Sequence, residues 1–336
     1  MTSKNFHLKI LVVGYGSIGK RHVNNLMKLK NVEILVCSKN KEANQLKKKG
    51  IQVYDSLTKC LNQKPDVGFV CNVTSLHVKT AIKLAQSGCH LFVEKPLSNS
   101  LTDINPLLTL IKKKKLITMM GCNLRFHKCI QEIKKILQHN EIGRVISVHV
   151  EGGSYLPDWH PWEDYQTSYA SIKKLGGGVV LTSIHEIDYL YWFFGESAEV
   201  FSFTGKFSDL HLSVEDLSAI LLRFRKNIIA EVHLDYFQQP DFKSCKIIGT
   251  KGTVYWDSIT NEVRLYSNMK KKWIRKLKLR NYQRNEMYVQ EISHFITCVK
   301  NKKTTINPIN DGLKTLKIAL AVKKSSLLKK VIKIKT

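Results

Sequence analysis

Apolar residues recur in two different rhythms along this chain. Up to about residue 120, short continuous apolar runs alternate with longer amphipathic stretches. The runs at 8–13, 32–37, 51–54, 67–72, 90–93 and 116–120 predict strands buried on both faces. The stretches between them predict crossover helices. In 75–87, Val78, Ala81, Ile82 and Ala85 form one stripe, Lys79 and Lys83 lie off it, and Gly88 closes the segment. Strand and helix in alternation predict an α/β unit built on a parallel sheet.

After residue 122 the period falls to two. In 144–151, Ile146, Val148 and Val150 fall on one face and Ser147, His149 and Glu151 on the other, the pattern of a half-buried strand. Similar alternation at 217–225 and 228–236 is joined across Lys226-Asn227. The stretches 243–248 and 253–257 flank the turn Gly249-Thr250-Lys251-Gly252. These predict antiparallel hairpins of an α+β second domain with a mostly antiparallel open sheet, the division falling at 1–122 and 123–336. A last helix, 311–328, carries Leu313, Leu316, Ala319, Leu320 and Val322 and is expected to pack back on the body. No apolar run approaches the roughly 18 residues of a bilayer span, and no cleavable leader is legible at the start, so no membrane role and a cytoplasmic location are expected.

Composition changes this picture little and charge changes it more. With 43% hydrophobic and 24% charged residues the chain can fill a core in each domain, which excludes a disordered or disulfide-scaffold protein. Its eight cysteines form no C-x-x-C pair and no zinc-type spacing with histidine, so no metal site is indicated and buried reduced thiols are expected. A net charge of +27 would suit polyanions, but the excess is spread over both halves of the chain and not gathered in one tail. It reads as a lysine-rich solvated surface, compatible with affinity for small anionic ligands, with no specific nucleic-acid partner.

The chemistry begins directly after the first strand, at Gly14-Tyr15-Gly16-Ser17-Ile18-Gly19, followed by a helix expected over 20–30. In strand-loop-helix context this G-x-G-x-x-G gives a tight turn, close backbone approach to a diphosphate and the positive end of a helix dipole. At the end of the second strand, where an acidic residue would accept from the adenosine ribose of NAD, the chain reads Cys37-Ser38-Lys39-Asn40. Ser38 can hydrogen-bond a 2′-phosphate and Lys39 can neutralise it, so NADP is preferred over NAD. Glu94-Lys95-Pro96 places a lysine at the carboxyl end of a strand. Gly176-Gly177-Gly178 precedes His185-Glu186-Ile187-Asp188, and a single helix there would put Thr182, His185 and Asp188 on one face.

Together these segments resemble the glucose-fructose oxidoreductase / inositol dehydrogenase / MocA family. The likeness rests on the glycine loop, Thr74-Ser75-Leu76-His77, Glu94-Lys95-Pro96, Asn123-Leu124-Arg125-Phe126, the glycine triplet, His185-Glu186-Ile187-Asp188, Gly249-Thr250-Lys251-Gly252 and Asp311-Gly312-Leu313. It implies an N-terminal Rossmann domain, a C-terminal domain whose sheet carries the substrate, and hydride transfer between NAD(P) and an alcohol or carbonyl carbon of a sugar or sugar derivative. It also implies a homo-oligomer. By motif position, Lys95 corresponds to the catalytic lysine and His185 to the acid/base histidine. Asn72, Val73, Thr74, His77, Glu94 and Asn123 join Gly14, Gly16, Ser17, Ile18, Gly19, Ser38, Lys39 and Lys95 as cofactor residues. Arg125, Trp162, Thr182, His185 and Asp188 are expected at the substrate.

A departure is that Leu181-Thr182-Ser183 stands where many members carry an aspartate, and Thr182 cannot stabilise an imidazolium by charge. A non-catalytic dinucleotide-binding sensor or partner protein is the alternative this departure leaves open. The aromatic segment 155–165 suits either the apolar face of a sugar ring or a subunit contact, and it resembles the branch of the family associated with bacterial surface-sugar pathways.

Overall fold

A computed structural model describes residues 7–334, in two compact units. One comprises the residues up to Cys122 together with Arg284–Leu313, the other Asn123–Gln283 and the residues from Lys314 onward. The first unit is a six-stranded sheet of β1 (Leu8–Val13), β2 (Val32–Cys37), β3 (Gln52–Tyr54), β4 (Val67–Val70), β5 (His90–Glu94) and β6 (Thr118–Gly121). Every pairing is parallel and the order is β3-β2-β1-β4-β5-β6. The helices α1 (Ser17–Leu26), α2 (Leu57–Leu61), α3 (His77–Gln86) and α4 (Ile104–Lys114) alternate with the strands. The middles of the central strands are apolar because both faces are covered: Ile10, Leu11, Val12, Val67, Phe69, Val70, Leu91, Phe92 and Val93 are all fully buried. The order reverses between β1 and β4, and in sheets of this kind ligands bind in the crevice outside the strand ends at that reversal.

The second unit begins with a short turn at Asn123–Phe126 and α5 (Lys128–Gln138) and is built on a nine-stranded sheet. Its strands are β7 (Val145–Gly153), β8 (Ser197–Gly205), β9 (Leu217–Phe224), β10 (Ile228–Asp235), β11 (Phe242–Gly249), β12 (Gly252–Asp257), β13 (Glu262–Ser267), β14 (Lys272–Lys278) and β15 (Ile332–Lys333). They lie in the order β14-β13-β12-β11-β7-β10-β9-β8-β15, antiparallel except for β10 beside β7. The hairpin turn at Asn227 holds a φ of 56°, a left-handed conformation that asparagine tolerates. Between β7 and β8 lie α6 (Val179–Thr182) and α7 (His185–Phe194). After the sheet come α8 (Asn285–Asn301) and α9 (Ile309–Leu328), the latter bonded to β8 through Ser202 Oγ donating to Val322 O at 2.7 Å.

Two sequence expectations change. Residues 284–313 group with the first unit, although the sequence division put them in the second domain. The cause is pairing distant in sequence: Met120 N donates to Asn307 O at 2.7 Å and Thr305 Oγ1 to Thr118 O at 2.6 Å, so this segment extends along β6. The expected single helix through Thr182, His185 and Asp188 is broken. Ser183, at φ −95° and ψ 33°, leaves the helical region and separates α6 from α7. Thr182 Oγ1 donates back to Gly178 O at 2.9 Å, a bond that ends a turn more readily than it extends one.

Candidate functional site

In the first unit the glycine loop leaves β1 and enters α1. Gly14 holds a φ of 100°, and a Cβ there would lie 2.6 Å from Asn72 N, so the loop lies directly against the end of β4. A Cβ on Gly19 would collide with Gly14 O, which is what lets helix and loop pack. Around Gly16 a Cβ would meet nothing within 4 Å. The first turn of α1 has no side-chain cap and no acidic residue, and its first internal bond runs from Lys20 N to Gly16 O. Gly16, Ser17 and Ile18 therefore offer backbone amides and open space together, a cradle that fits a diphosphate.

At the end of β2, Ser38 N donates to Tyr54 O at 2.9 Å, and Ser38 Oγ accepts from Asn40 N at 3.0 Å. With one lone pair engaged, the Ser38 hydroxyl keeps its hydrogen to donate. Lys39 is exposed. Asn40 Nδ2 donates to Tyr15 O at 3.3 Å and Lys20 pairs with Glu42, so the β2 loop is tied to the glycine loop.

After β4, Asn72 Nδ2 donates to Thr80 Oγ1 at 2.8 Å. Its buried Oδ1 has no hydrogen-bond partner among the described residues. Val73 precedes the turn that holds Thr74, which is buried. His77, expected among the cofactor residues, is turned inward. It is buried, with Nδ1 2.8 Å from Pro96 O and Nε2 2.9 Å from Asn72 O. Burial pushes its imidazole pKa down, and a neutral ring donates to only one of these carbonyls. The ring thus links the β4 loop to the residue after Lys95. Lys95 itself is half-buried at the carboxyl end of β5. The Glu94 side chain turns inward, and its Oε1 lies 2.6 Å from Nε2 of His22.

In the second unit His185 is the first residue of α7 and half-buried. Ion pairs hold the residues around it. Asp188, one turn on, receives both Nε and Nη2 of Arg125 at 2.8 Å, and both side chains are buried. Glu186 Oε1 accepts from Lys243 Nζ at 2.5 Å. Lys134 Nζ donates to Trp192 O at 2.5 Å farther along the helix. Arg125 and Asp188, expected at the substrate, thus bind each other and fix the helix that carries His185. Thr182 is buried, its hydroxyl shared between Gly178 O and the hydroxyl of Tyr236. Burial holds the Tyr236 phenol well above its ordinary pKa, so it remains a neutral partner for Thr182. Trp162 is 76% exposed, with the His160 ring 5.4 Å away. Asn123 opens the second unit and is buried, its Oδ1 without a hydrogen-bond partner among the described residues.

Sequence reasoning passed over His22, Lys243 and Tyr236. His22 alone had a local signal: it falls three residues after Gly19 on the stripe shared with Val23 and Leu26, the buried face of α1. All eight cysteines are free and buried. Among the described residues no cluster of three or more His, Cys, Asp or Glu could hold a metal ion, and no helix is long and apolar enough to cross a membrane.

Comparison with known proteins accords with this architecture. The chain is 27% identical over 330 residues to the uncharacterized oxidoreductase YrbE of Bacillus subtilis, covering 94% of this chain and 93% of that protein. It is 25% identical over 340 residues to myo-inositol 2-dehydrogenase of Thermotoga maritima, covering 97% and 98%. The solved structure of levoglucosan dehydrogenase in complex with NADH superposes with a TM-score of 0.88 at 17% identity, covering 98% of this chain and 100% of that one. Residues 8–122 match the oxidoreductase family with NAD-binding Rossmann fold, and residues 130–255 match the GFO/IDH/MocA C-terminal domain. With both halves matched and the glycine cradle intact, the chain belongs to the GFO/IDH/MocA family of NAD(P)-dependent oxidoreductases acting on CH–OH groups.

Proposed function

We propose that this chain transfers a hydride between NADP and an alcohol or carbonyl carbon of a sugar or cyclitol, with Lys95 and His185 handling the proton. The observation that carries the reading lies at the carboxyl ends of the first unit's central strands. The glycine loop lies against the end of β4, and Lys95 stands at the end of the adjoining strand β5. The named relatives that act on myo-inositol and levoglucosan support the substrate class.

Gly14, Gly16, Ser17, Ile18 and Gly19 would hold the diphosphate, and Asn72, Val73 and Thr74 would line the cofactor beyond it. The Ser38 hydroxyl and the exposed Lys39 would take the 2′-phosphate that distinguishes NADP from NAD. When bound, the nicotinamide supplies the hydride acceptor or donor. Removal of hydride from a carbinol carbon requires the hydroxyl proton to leave in step. A lysine ammonium polarises that oxygen, and an imidazole takes up or returns the proton. Arg125, Asp188 and Thr182 then serve by fixing the segments on either side of His185, while Trp162 offers an exposed ring to a sugar face.

We further propose a homo-oligomer assembled through the second unit's open sheet face. That face exposes Phe203 and Leu221 beside the cross-strand pair His149–Glu231. A cytoplasmic role in building bacterial surface sugars fits the aromatic segment 155–165.

The neutral Thr182, in place of an aspartate, is the one feature that favours a non-catalytic dinucleotide sensor. The deciding assay follows absorbance at 340 nm with NADP and NAD side by side and myo-inositol, scyllo-inositol, levoglucosan and free sugars as substrates. Turnover is expected, faster with NADP, and abolished by Lys95→Met. Tight cofactor binding without turnover across the panel would establish the sensor instead, and an active Lys95→Met enzyme would remove the lysine from the chemistry.

A further inference from the structure

The interior of the first unit encloses a hydrogen-bonded pair of ionisable side chains that joins the cofactor helix to the lysine's strand. His22 on α1 is 0% exposed and Glu94 at the end of β5 is 6% exposed, with Nε2 and Oε1 2.6 Å apart. Aromatic rings wall the site: Phe92 lies 5.1 Å from the His22 ring, Phe69 5.5 Å and Tyr288 6.4 Å. β6 backs the carboxylate so closely that a Cβ on Gly121 would lie 2.8 Å from Oε1. His22 Nδ1 has no hydrogen-bond partner among the described residues, and opposite an ionised carboxylate, which only accepts, Nε2 is the donor. The other carboxylate oxygen, Oε2, accepts the backbone N–H of Lys95 at 3.3 Å.

Removing a carboxylate and an imidazole from water is costly, and a well-packed apolar pair of equal volume is often as stable. Stability alone therefore gives little reason for this arrangement, and its connectivity supplies one. One end of α1 is the diphosphate cradle, and His22 stands on the same helix. Glu94 is bonded to the lysine that follows it. We propose that His22 is a positioning residue for Lys95, acting through the Glu94 carboxylate. The pair is a strut that holds the lysine's backbone at a fixed distance from the glycine loop. This rests on the reading of Lys95 as the proton-handling lysine. Its consequence is kinetic, because a reacting group misplaced by about 1 Å loses on the order of 100-fold in rate.

The test compares His22→Leu, which removes the donor, with His22→Gln, whose amide nitrogen can replace Nε2, and with Glu94→Gln and Lys95→Met. Turnover of myo-inositol, scyllo-inositol and levoglucosan is read at 340 nm, and cofactor affinity by titration calorimetry. Independently of any substrate, the rate of trace acetylation of Lys95 by acetic anhydride is read by mass spectrometry, with Lys79 as internal reference. His22→Leu is expected to lower kcat by about 10-fold or more while cofactor Kd changes by less than about threefold. It should also shift Lys95 labelling relative to Lys79, and His22→Gln should restore both readouts. Should His22→Leu not fold, the isosteric Glu94→Gln carries the same expectation.

Folded His22→Leu with kcat within about twofold of the parent and unchanged Lys95 labelling overturns the strut, as does a His22→Gln enzyme no better than His22→Leu. Inactive Lys95→Met beside fully active His22→Leu refutes the strut alone. Active Lys95→Met refutes the reading of the lysine and the strut with it. If no compound in the panel turns over, the labelling ratio decides by itself.

Discussion

Replacement of Asp188 by alanine should unfold the second unit well before the first. The carboxylate meets Arg125 through two bonds of 2.8 Å, and the two side chains are 0% and 1% exposed. Removing Asp188 strips the buried guanidinium of the two charge-assisted bonds it makes to that carboxylate, and breaking a buried pair in this way costs about 3–5 kcal/mol. The Trp192 ring, 5.7 Å from the Arg125 guanidinium carbon, is present in parent and variant alike, so its cation–π contact of about 0.5–2 kcal/mol leaves the difference unchanged. For a unit of this size each kcal/mol moves the melting temperature by about 2–4 °C, so a fall of about 6–20 °C is expected.

Differential scanning calorimetry is the assay, because it separates the transitions of two units. The control is Arg125→Met with Asp188→Leu, which replaces the pair by apolar groups of similar volume. It should recover most of the loss, whereas Arg125→Met alone and Asp188→Leu alone should not, giving a coupling energy of about 2–3 kcal/mol in a double-mutant cycle. An Asp188→Ala protein melting within about 2 °C of the parent would show that the pair is not what anchors α7.

Two further outcomes follow from the glycine loop and from a buried histidine. Gly16→Ala should leave the melting temperature almost unchanged, because its Cβ meets nothing within 4 Å and its φ of −80° is ordinary, yet it should weaken NADP binding in a fluorescence titration by filling the cradle; unaltered affinity would place the diphosphate elsewhere. Burial pushes the His127 imidazole down to about 4, so between its unfolded value of about 6.5 and that value the unfolded chain binds the extra proton, and stability falls by roughly 3 kcal/mol as pH drops through this window. His127 Nδ1 also accepts from Cys129 N at 3.2 Å at the start of α5. His127→Asn preserves that cap and should flatten urea-melt stability between pH 6.5 and 4, and an unchanged slope would assign the acid sensitivity to other groups.

How much of this was legible depended on how far each signal reaches along the chain. The buried parallel strands declared themselves as unbroken apolar runs, and the hairpin of β9 and β10 as alternation around Lys226-Asn227. The last two strands at one end of the sheet, β13 and β14, did not, because the edge strand β14 is half-exposed and rich in lysine and arginine, and β13 is short, so neither carries much apolar contrast. α8 went unnoticed for a related reason: Met287, Ile292, Phe295 and Val299 form its buried stripe among polar neighbours. At the site, the glycine loop, Lys95 and His185 were found because each sits in a short motif. Arg125, Asp188 and Thr182 were singled out as well, but as groups for a substrate, and that Arg125 binds Asp188 while Thr182 meets the Tyr236 hydroxyl became visible only in three dimensions.

Sequence by itself determined the α/β unit, the antiparallel second sheet and the cofactor turn, since these follow from periodicity and from glycines at fixed spacing, properties written within a dozen residues. Tertiary structure alone decided that His22 meets Glu94 across 72 residues, that Asp188 meets Arg125 across 63, and that 284–313 belongs with the first unit. A buried polar group must find its partner somewhere in the chain, but the partner's sequence distance is set by topology and leaves no local mark.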